Sequence, residues 1–85
     1  MYYKVEFAPL AHRQLRKLER AIQIRLLQRI ETLSTNPRPS GVKKLAAEAD
    51  LYRIRIGEYR VVYQIRDRDL LILIVKIGHR REIYS

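Results

Sequence analysis

The fold is decided between residues 51 and 66, which read LYRIRIGEYRVVYQIR. Apolar and polar side chains alternate through most of this stretch, which is the pattern of extended strands with one buried face. The apolar face comprises Tyr52, Ile54, Ile56, Tyr59, Val61, Tyr63 and Ile65. Gly57 and Glu58 interrupt the alternation and leave room for a two-residue turn. The stretch therefore predicts a β-hairpin whose aromatic rings belong to the core.

A third strand is predicted further along the chain, which reads LLILIVKI from residue 70 to residue 77. Strict alternation assigns one apolar series to the core along the whole strand. That series comprises Leu71, Leu73, Val75 and Ile77. The opposite face becomes polar at Lys76. If the extended conformation continues, Arg80, Glu82 and Tyr84 lie on the same face as Lys76.

The amino-terminal half combines a strand with helical structure. Val5 and Phe7 share one face of a short extended segment, which predicts a half-buried strand. Pro9 suits the first turn of a helix, and apolar residues then recur every three or four positions. They are Leu15, Leu18, Ile22, Leu26, Ile30 and Leu33. The proline-rich segment at residues 36–41 ends the helical region, whose spacing fits either one long helix or two helices that meet near residues 19–21.

These elements predict an α+β fold, in which an amino-terminal strand and a helical hairpin pack on a mainly antiparallel sheet of about four strands. In residues 42–50 the apolar side chains show only weak periodicity, so no helix or strand is predicted there. With 85 residues and no break in composition, the chain has room for one modest hydrophobic core. We therefore expect a single domain over residues 1–85.

The composition points to a polyanionic partner. Lys and Arg total 18 against nine acidic residues, so the formal net charge is +9, beyond the magnitude of about 2 to 8 that suits a soluble small domain. The chain has no cysteine, which excludes disulfides, thiolate metal ligands and cysteine nucleophiles and suits a reducing cytoplasm. His12 and His79 are too far apart in sequence to suggest a metal site. No apolar run approaches the ~18 residues of a membrane span, so we expect a cytoplasmic protein without a membrane partner.

The candidate functional residues are cations on the polar strand faces. Arg53, Arg55 and Arg60 project from the hairpin, and an extended carboxy-terminal strand would bring Arg80 and Tyr84 beside them. Guanidinium groups bind phosphate oxygens in forked geometry, and a tyrosine ring can stack on an unpaired base. The pattern therefore fits a concave RNA-binding surface, and the spacing fits a solvated sheet face as well.

Two motifs in the chain resemble the signature of RelE-type toxins in the RelE/ParE superfamily. The first is LYRIRIGEYRVVY at residues 51–63, and the second, after one more strand, is IGHRREIY at residues 77–84. The amino-terminal strand, the basic helical region and the proline-rich break also match the layout of that family. The resemblance therefore covers essentially the whole chain.

The resemblance implies a toxin that a cognate antitoxin holds inactive and that, when free, enters the ribosomal A site and cuts mRNA. The implied reaction is attack of an RNA 2′-hydroxyl on the adjacent phosphate, which leaves a 2′,3′-cyclic phosphate and a 5′-hydroxyl end. It requires no metal ion and no small-molecule cofactor. The expected partners are accordingly an antitoxin, the ribosome and mRNA.

The family pattern also implies a role for each site residue. Phosphate-binding cations fall at Arg53, Arg55 and Arg60, a leaving-group stabiliser or acid at Arg80, and a stacking or proton-transferring ring at Tyr84. All five are candidate catalytic residues, because the reaction needs charge stabilisation and two proton transfers.

This chain departs from the family pattern at two positions that bear on the general base. Lysines are common at the positions of Arg53 and Arg55, and an arginine does not lose its proton at neutral pH. Tyr84 is then the leading candidate base, its phenolate favoured by neighbouring guanidinium groups. His79 has a suitable intrinsic pKa, but strand parity turns it away from the site. Glu82 is expected to pair with a neighbouring arginine, and neither residue is excluded from the reaction.

Two other functions remain open at this stage. A ParE-like gyrase poison shares the fold but acts by binding a protein and does not cleave RNA. Arg80 and Tyr84 argue against it, since that branch generally lacks the full nuclease set. The other alternative is a catalytically silent domain that binds RNA or sequesters antitoxin, because arginines at positions 53 and 55 keep the charge while removing a possible base.

Overall fold

The computed structural model describes residues 2–46 and 49–83. In chain order the main elements are β1 Lys4–Phe7, α1 Pro9–Arg16, α2 Arg20–Thr32, β2 Lys43–Ala46, β3 Leu51–Ile56, β4 Tyr59–Arg66, β5 Leu71–His79 and α3 Arg80–Ile83. The strands form one sheet in the order β1-β5-β4-β3-β2. β1 runs parallel to β5, and the other neighbours are antiparallel. The predicted α+β fold is confirmed, with five strands in place of about four.

The hairpin of β3 and β4 forms as predicted. Tyr52 lies opposite Tyr63, and Ile54 lies opposite Val61, so the apolar residues of the two strands share one face. All four are buried. Gly57 has a φ of +60° in the connecting turn, a conformation that a two-residue turn commonly requires and that glycine adopts without strain. The period-two pattern alone was therefore enough to fix this part of the sheet.

The predicted core face of β5 is wrong for most of the strand. Ile72, Ile74 and Ile77 are buried, whereas the predicted series of Leu71, Leu73 and Val75 is only half-buried. The register against β4 shifts between Ile74 and Lys76, so Val75 is an extra residue in the ladder. Such a bulge moves the core face from even-numbered to odd-numbered positions. Strict alternation cannot predict it.

The helical region contains two helices, α1 and α2, that meet close to the predicted position. The side-chain amide of Gln23 donates to the Leu18 carbonyl at 2.8 Å, which satisfies a carbonyl at the break between them. Ala11 and Leu15 of α1 and Leu26 of α2 are buried against the sheet. No helix in residues 2–46 and 49–83 is long and apolar enough to cross a membrane.

β2 was not predicted, because it is a short edge strand with little sequence pattern. Lys43 and Lys44 are exposed and lie opposite Arg53 and Tyr52 of β3. The Lys44 ammonium lies 5.7 Å from the centre of the Tyr52 ring, within the range of a cation–π interaction. Short, charged edge strands resist pairing with other chains. Because they contain few apolar residues, they also lack the alternation from which a strand is predicted.

The extended conformation does not continue beyond His79. β5 ends at His79, and the helical turn of α3 begins at Arg80. The Arg80 backbone N–H donates to the Glu58 carbonyl at 2.8 Å, so the chain turns where it meets the β3–β4 turn. The argument that extended alternation places Arg80 and Glu82 on one face therefore fails. Tyr84 lies outside the described residues.

Tyr63 provides a test of this packing. Its ring is fully buried, and its hydroxyl donates to the Pro37 carbonyl at 2.7 Å. We expect Tyr63→Phe to lower the free energy of unfolding by about 1–2 kcal/mol, because the carbonyl loses its partner. Urea denaturation followed by circular dichroism measures the change. Tyr2→Phe is the matched control, because the Tyr2 side chain is 74% exposed, and equal stability of the two variants would contradict the assignment.

Candidate functional site

A basic concavity of about 470 Å³ opens at the edge of β3. Its lining residues are Arg29, Ser40, Gly41, Lys43, Arg53, Ile54, Arg55 and Arg60. Five of these eight are cations and none is acidic. In the part of the chain that the structure describes, no group of three His, Asp or Glu side chains could hold a metal ion. The concavity therefore suits an anionic ligand.

Strand register arranges four of the cations as two pairs. Arg55 lies directly opposite Arg60, and Lys43 lies directly opposite Arg53. Opposite residues in a sheet bring their Cβ atoms to about 5 Å, where like charges destabilise the pair. The pairs are two residues apart along β3, or roughly 7 Å. An anion between the partners of a pair would relieve this repulsion. The structure thus brings Arg53, Arg55 and Arg60 together, as the polar pattern indicated.

Arg60 is held in place by the backbone of the hairpin turn. Among the described residues it is the only buried charged side chain, with 7% of its surface exposed. Its Nη1 atom donates to the Gly57 carbonyl at 3.2 Å and to the Tyr59 carbonyl at 3.1 Å. A carboxylate would neutralise the charge of the guanidinium. The carbonyl oxygens hold the guanidinium in place and leave its charge uncompensated. Arg60 is therefore a preorganised cation.

Arg80 lies outside the lining of the concavity, beyond the Arg55–Arg60 pair. Arg60 is opposite Gly78 in the sheet, and Arg80 follows two residues later. The Arg80 Nε atom is 2.9 Å from Glu58 Oε2, and half of the Arg80 side chain is exposed. The turn between β3 and β4 therefore holds both Arg60, through the Gly57 carbonyl, and Arg80, through Glu58.

His79 occupies the opposite face of the sheet, as strand parity indicated. It lies opposite Tyr59, and the two rings meet edge to face with centroids 5.6 Å apart. Its Nε2 atom is 3.8 Å from Glu58 Oε2. Tyr52 and Tyr63 are buried and stack at 6.0 Å between centroids, and Tyr59 is partly buried against the hydrophobic core. These rings belong to the core, as predicted.

Two lining cations were missed by the sequence reasoning. Arg29 is on α2, in the helical region for which only the apolar positions were interpreted above. Lys43 lies in the unpatterned segment that forms β2. Spacing within one element cannot show that a helix and an edge strand border the same cavity. The sequence carries no signal that would have linked Arg29 or Lys43 to the site.

The proline loop, residues 36–41, forms one wall of the concavity and is anchored by Arg38. The Arg38 guanidinium donates from Nη2 to Asp67 Oδ2 at 3.0 Å and from Nε to the Tyr52 hydroxyl at 3.1 Å. The Tyr3 hydroxyl donates to Asp67 Oδ1 at 2.6 Å. The hydrogen bond from Arg38, and then that from Tyr3, lower the pKa of Asp67 below its ordinary value. These contacts tie the loop to β1, β3 and the turn after β4.

The fold and the site together define a class: small, basic α+β domains with a cationic concavity at the edge of a mixed sheet. A family model described as "ParE toxin of type II toxin-antitoxin system, parDE" matches residues 5–84. The chain belongs to this family of type II toxins, within the RelE/ParE superfamily.

Individual relatives come from the RelE branch. Toxin RelG of Mycobacterium tuberculosis is 32% identical over 85 residues, which cover 99% of this chain and 98% of RelG. The mRNA interferase toxin RelE of Escherichia coli K12 is 29% identical over 89 residues, which cover 100% of this chain and 93% of RelE. A chain of the archaeal RelE–RelB complex from Pyrococcus horikoshii superposes with a TM-score of 0.83 at 34% identity, over 94% of this chain and 97% of that one. The resemblance to RelE-type toxins is confirmed.

The anchor at Asp67 makes a prediction about pH. A carboxyl group whose pKa is lower in the folded state stabilises the fold above its unfolded pKa of about 3.9, and the contribution is lost as the pH falls through the folded pKa. The stability difference between wild type and Asp67→Asn should therefore shrink as the pH falls from about 6 to about 2.5. Urea denaturation at each pH measures it. Asp69→Asn, in the same turn, is the control, and a difference that is constant with pH would contradict the role of Asp67.

Proposed function

We propose that this protein is the toxin of a toxin–antitoxin pair and cleaves mRNA in the ribosomal A site, in the cytoplasm. The observation that carries the proposal is the cationic concavity, whose eight described lining residues include five cations and no acid, with Arg80 just beyond the Arg55–Arg60 pair. The name of the Escherichia coli relative, an mRNA interferase, supports the reaction. The substrate is single-stranded RNA, whose phosphates suit guanidinium groups.

The reaction transfers the phosphate within the RNA. The 2′-oxygen loses its proton to a base and forms a bond to phosphorus, while the bond from phosphorus to the 5′-oxygen breaks. The products are a 2′,3′-cyclic phosphate and a 5′-oxygen that takes up a proton. The phosphate gains charge on the way, so cations that are already in position lower the barrier. No metal ion takes part in the proposed reaction.

Arg55 and Arg60 bind the reacting phosphate in this proposal, with Arg53 beside them. Arg60 is held by two backbone carbonyls and needs little reorganisation when the transition state forms. Arg80 stabilises or protonates the leaving 5′-oxygen. The Nε atom of Arg80 contacts Glu58, and the guanidinium has four further N–H donors of its five. Glu58 thereby orients Arg80 without using all of its donors.

The base is assigned to Tyr84. An arginine keeps its proton at neutral pH, so Arg53 and Arg55 supply charge and geometry only. Tyr84 follows Ile83, the last residue of α3, in sequence, and a phenolate would be favoured by nearby cations. A ring that only stacks on a base would leave the reaction without this proton acceptor.

The regulatory partner is proposed to be an acidic antitoxin. Solved relatives are RelE–RelB toxin–antitoxin complexes, and a net charge of +9 favours association with a negatively charged protein. Such a partner would inhibit the toxin by covering the concavity or by competing with RNA for its cations.

A second candidate function is inhibition of gyrase by protein binding, because the matching family model is described by the name ParE. The cation pairs favour RNA, because contacts to RNA phosphates use positive charge directly. A gyrase poison needs no arrangement of cations around a reacting phosphate. The cleavage experiment below separates the two functions.

Cleavage on programmed ribosomes tests the proposed function. Purified, antitoxin-free protein should cut the mRNA in the A site and leave a 2′,3′-cyclic phosphate, which is detected because a phosphatase removes it only after acid has opened the ring. Arg80→Ala should lower the single-turnover rate by about 10²–10³ with a smaller effect on binding, because its charge is needed most in the transition state. Inhibition of gyrase without RNA cleavage would overturn the proposal in favour of the ParE-like function, and ribosome binding without cleavage would favour a silent RNA-binding domain.

Tyr84→Phe tests the assignment of the base. Loss of the hydroxyl should lower the single-turnover rate by about 10²–10⁴ if Tyr84 transfers a proton. The same assay on ribosomes measures it, and Tyr2→Phe, at the other end of the chain, is the control. A Tyr84→Phe protein with nearly full activity would limit Tyr84 to stacking, and a fully active Tyr84→Ala protein would remove it from the site.

A further inference from the structure

We propose that Arg29 and Lys43, together with Arg53, form a second phosphate subsite. It would hold the phosphate next to the reacting one on the same RNA strand. The inference rests on the proposed function and deepens it, because it assigns a ligand to the two lining cations that neither the sequence pattern nor the family signature marked. It also sets a minimum length for a fully bound substrate, which must contain two successive phosphates.

The register of the sheet places the two subsites side by side. The Arg55–Arg60 pair holds the reacting phosphate, and the Lys43–Arg53 pair lies two residues further along β3. Two residues of strand span roughly 7 Å, close to the separation of successive phosphates along an extended nucleic acid strand. A single strand that follows β3 would therefore meet one cation pair with each phosphate.

Arg29 lines the same concavity from α2. The neighbouring residues Leu26 and Ile30 of α2 are buried against the core face of the sheet, so the helix that carries Arg29 has a fixed position. Arg53 projects from the other face, and both side chains line the concavity. The concavity is therefore lined by cations from the helix and from the sheet. A phosphate bound there could contact both.

The ion pairs of the protein leave these two cations available. Arg38 and Arg80 each pair with a carboxylate. Within the part of the chain that the structure describes, the side chains of Arg29 and Lys43 make no ion pair and no hydrogen bond. Cations that line one cavity without ion pairs, as Arg29 and Lys43 do among the described residues, repel each other and destabilise a folded domain. A polyanionic strand would compensate that repulsion, whereas a purely structural role would leave it uncompensated.

The test compares two double variants with equal loss of charge. One is Arg29→Gln with Lys43→Gln, and the control is Arg20→Gln with Lys17→Gln, which removes the same residue types from an exposed position near the break between α1 and α2. Binding of the full chain to a fluorescent single-stranded RNA is measured over a range of salt concentrations. The RNA carries 2′-O-methyl groups in place of the attacking 2′-hydroxyls, so that it is not cleaved.

We expect the site variant to reduce the slope of log affinity against log salt by about 0.7, the value for one phosphate on a single strand. Its affinity should fall about tenfold, as for loss of a charged hydrogen bond. The control variant should retain the wild-type slope. The charge-conserving variant Arg29→Lys with Lys43→Arg should recover most of the affinity, and equal thermal unfolding of all variants shows that the fold is kept.

Three results would overturn the subsite. An unchanged slope in the site variant would mean that Arg29 and Lys43 contact no phosphate, and an equal loss in the control would mean that any surface cation has the same effect. A loss seen with ribosomes but absent with isolated RNA would assign the phosphate to ribosomal RNA. Because the isolated RNA is not cleaved, binding tests the subsite even if wild-type protein fails to cut mRNA. That failure would count against the proposed function alone.

Discussion

Burial of one face of β4 is the constraint on which the rest of the structure depends. Val61, Tyr63 and Ile65 are almost entirely inaccessible to solvent, and β4 has hydrogen-bonded neighbours on both sides. Since side chains alternate in a strand, burial of these three residues directs Arg60 to the other face. The pairing with β3 then places Arg55 opposite it. The position of the charged site is thus a consequence of the hydrophobic core.

The cations in this protein have different environments and therefore different capacities. Arg38 pairs with a carboxylate, and its work is to hold a loop in place. Arg60 is surrounded by carbonyl oxygens and keeps its charge for a ligand. Arg80 has an ion pair and an accessible charge, because Glu58 orients it while half of the side chain remains exposed. A count of basic residues predicts a polyanionic partner, but only the contacts distinguish cations that stabilise the fold from cations that bind.

Elements formed by contacts between residues close in sequence could be predicted, whereas those that depend on contacts between distant parts of the chain could not. The hairpin and the trio Arg53, Arg55 and Arg60 were predicted because alternation and a two-residue turn are local properties. The bulge at Val75 and the turn of the chain at Arg80 were not, because they depend on the register against β4 and on the Glu58 carbonyl. Arg29 was missed for the same reason, since a helix and a sheet edge become neighbours only through packing.

The parallel pairing of β1 with β5 has a consequence for how the protein is made. Lys4 pairs with Leu71, so β1 must find β5 at a separation of 67 positions in the sequence. Closing so long a loop is entropically costly and belongs to the slow part of folding. The hairpin of β3 and β4 needs only its own residues, yet one side of β4 has no hydrogen-bonded neighbour until β5 is added. During synthesis on a ribosome, the arginines of the hairpin therefore gain a rigid support only after β5 has been made.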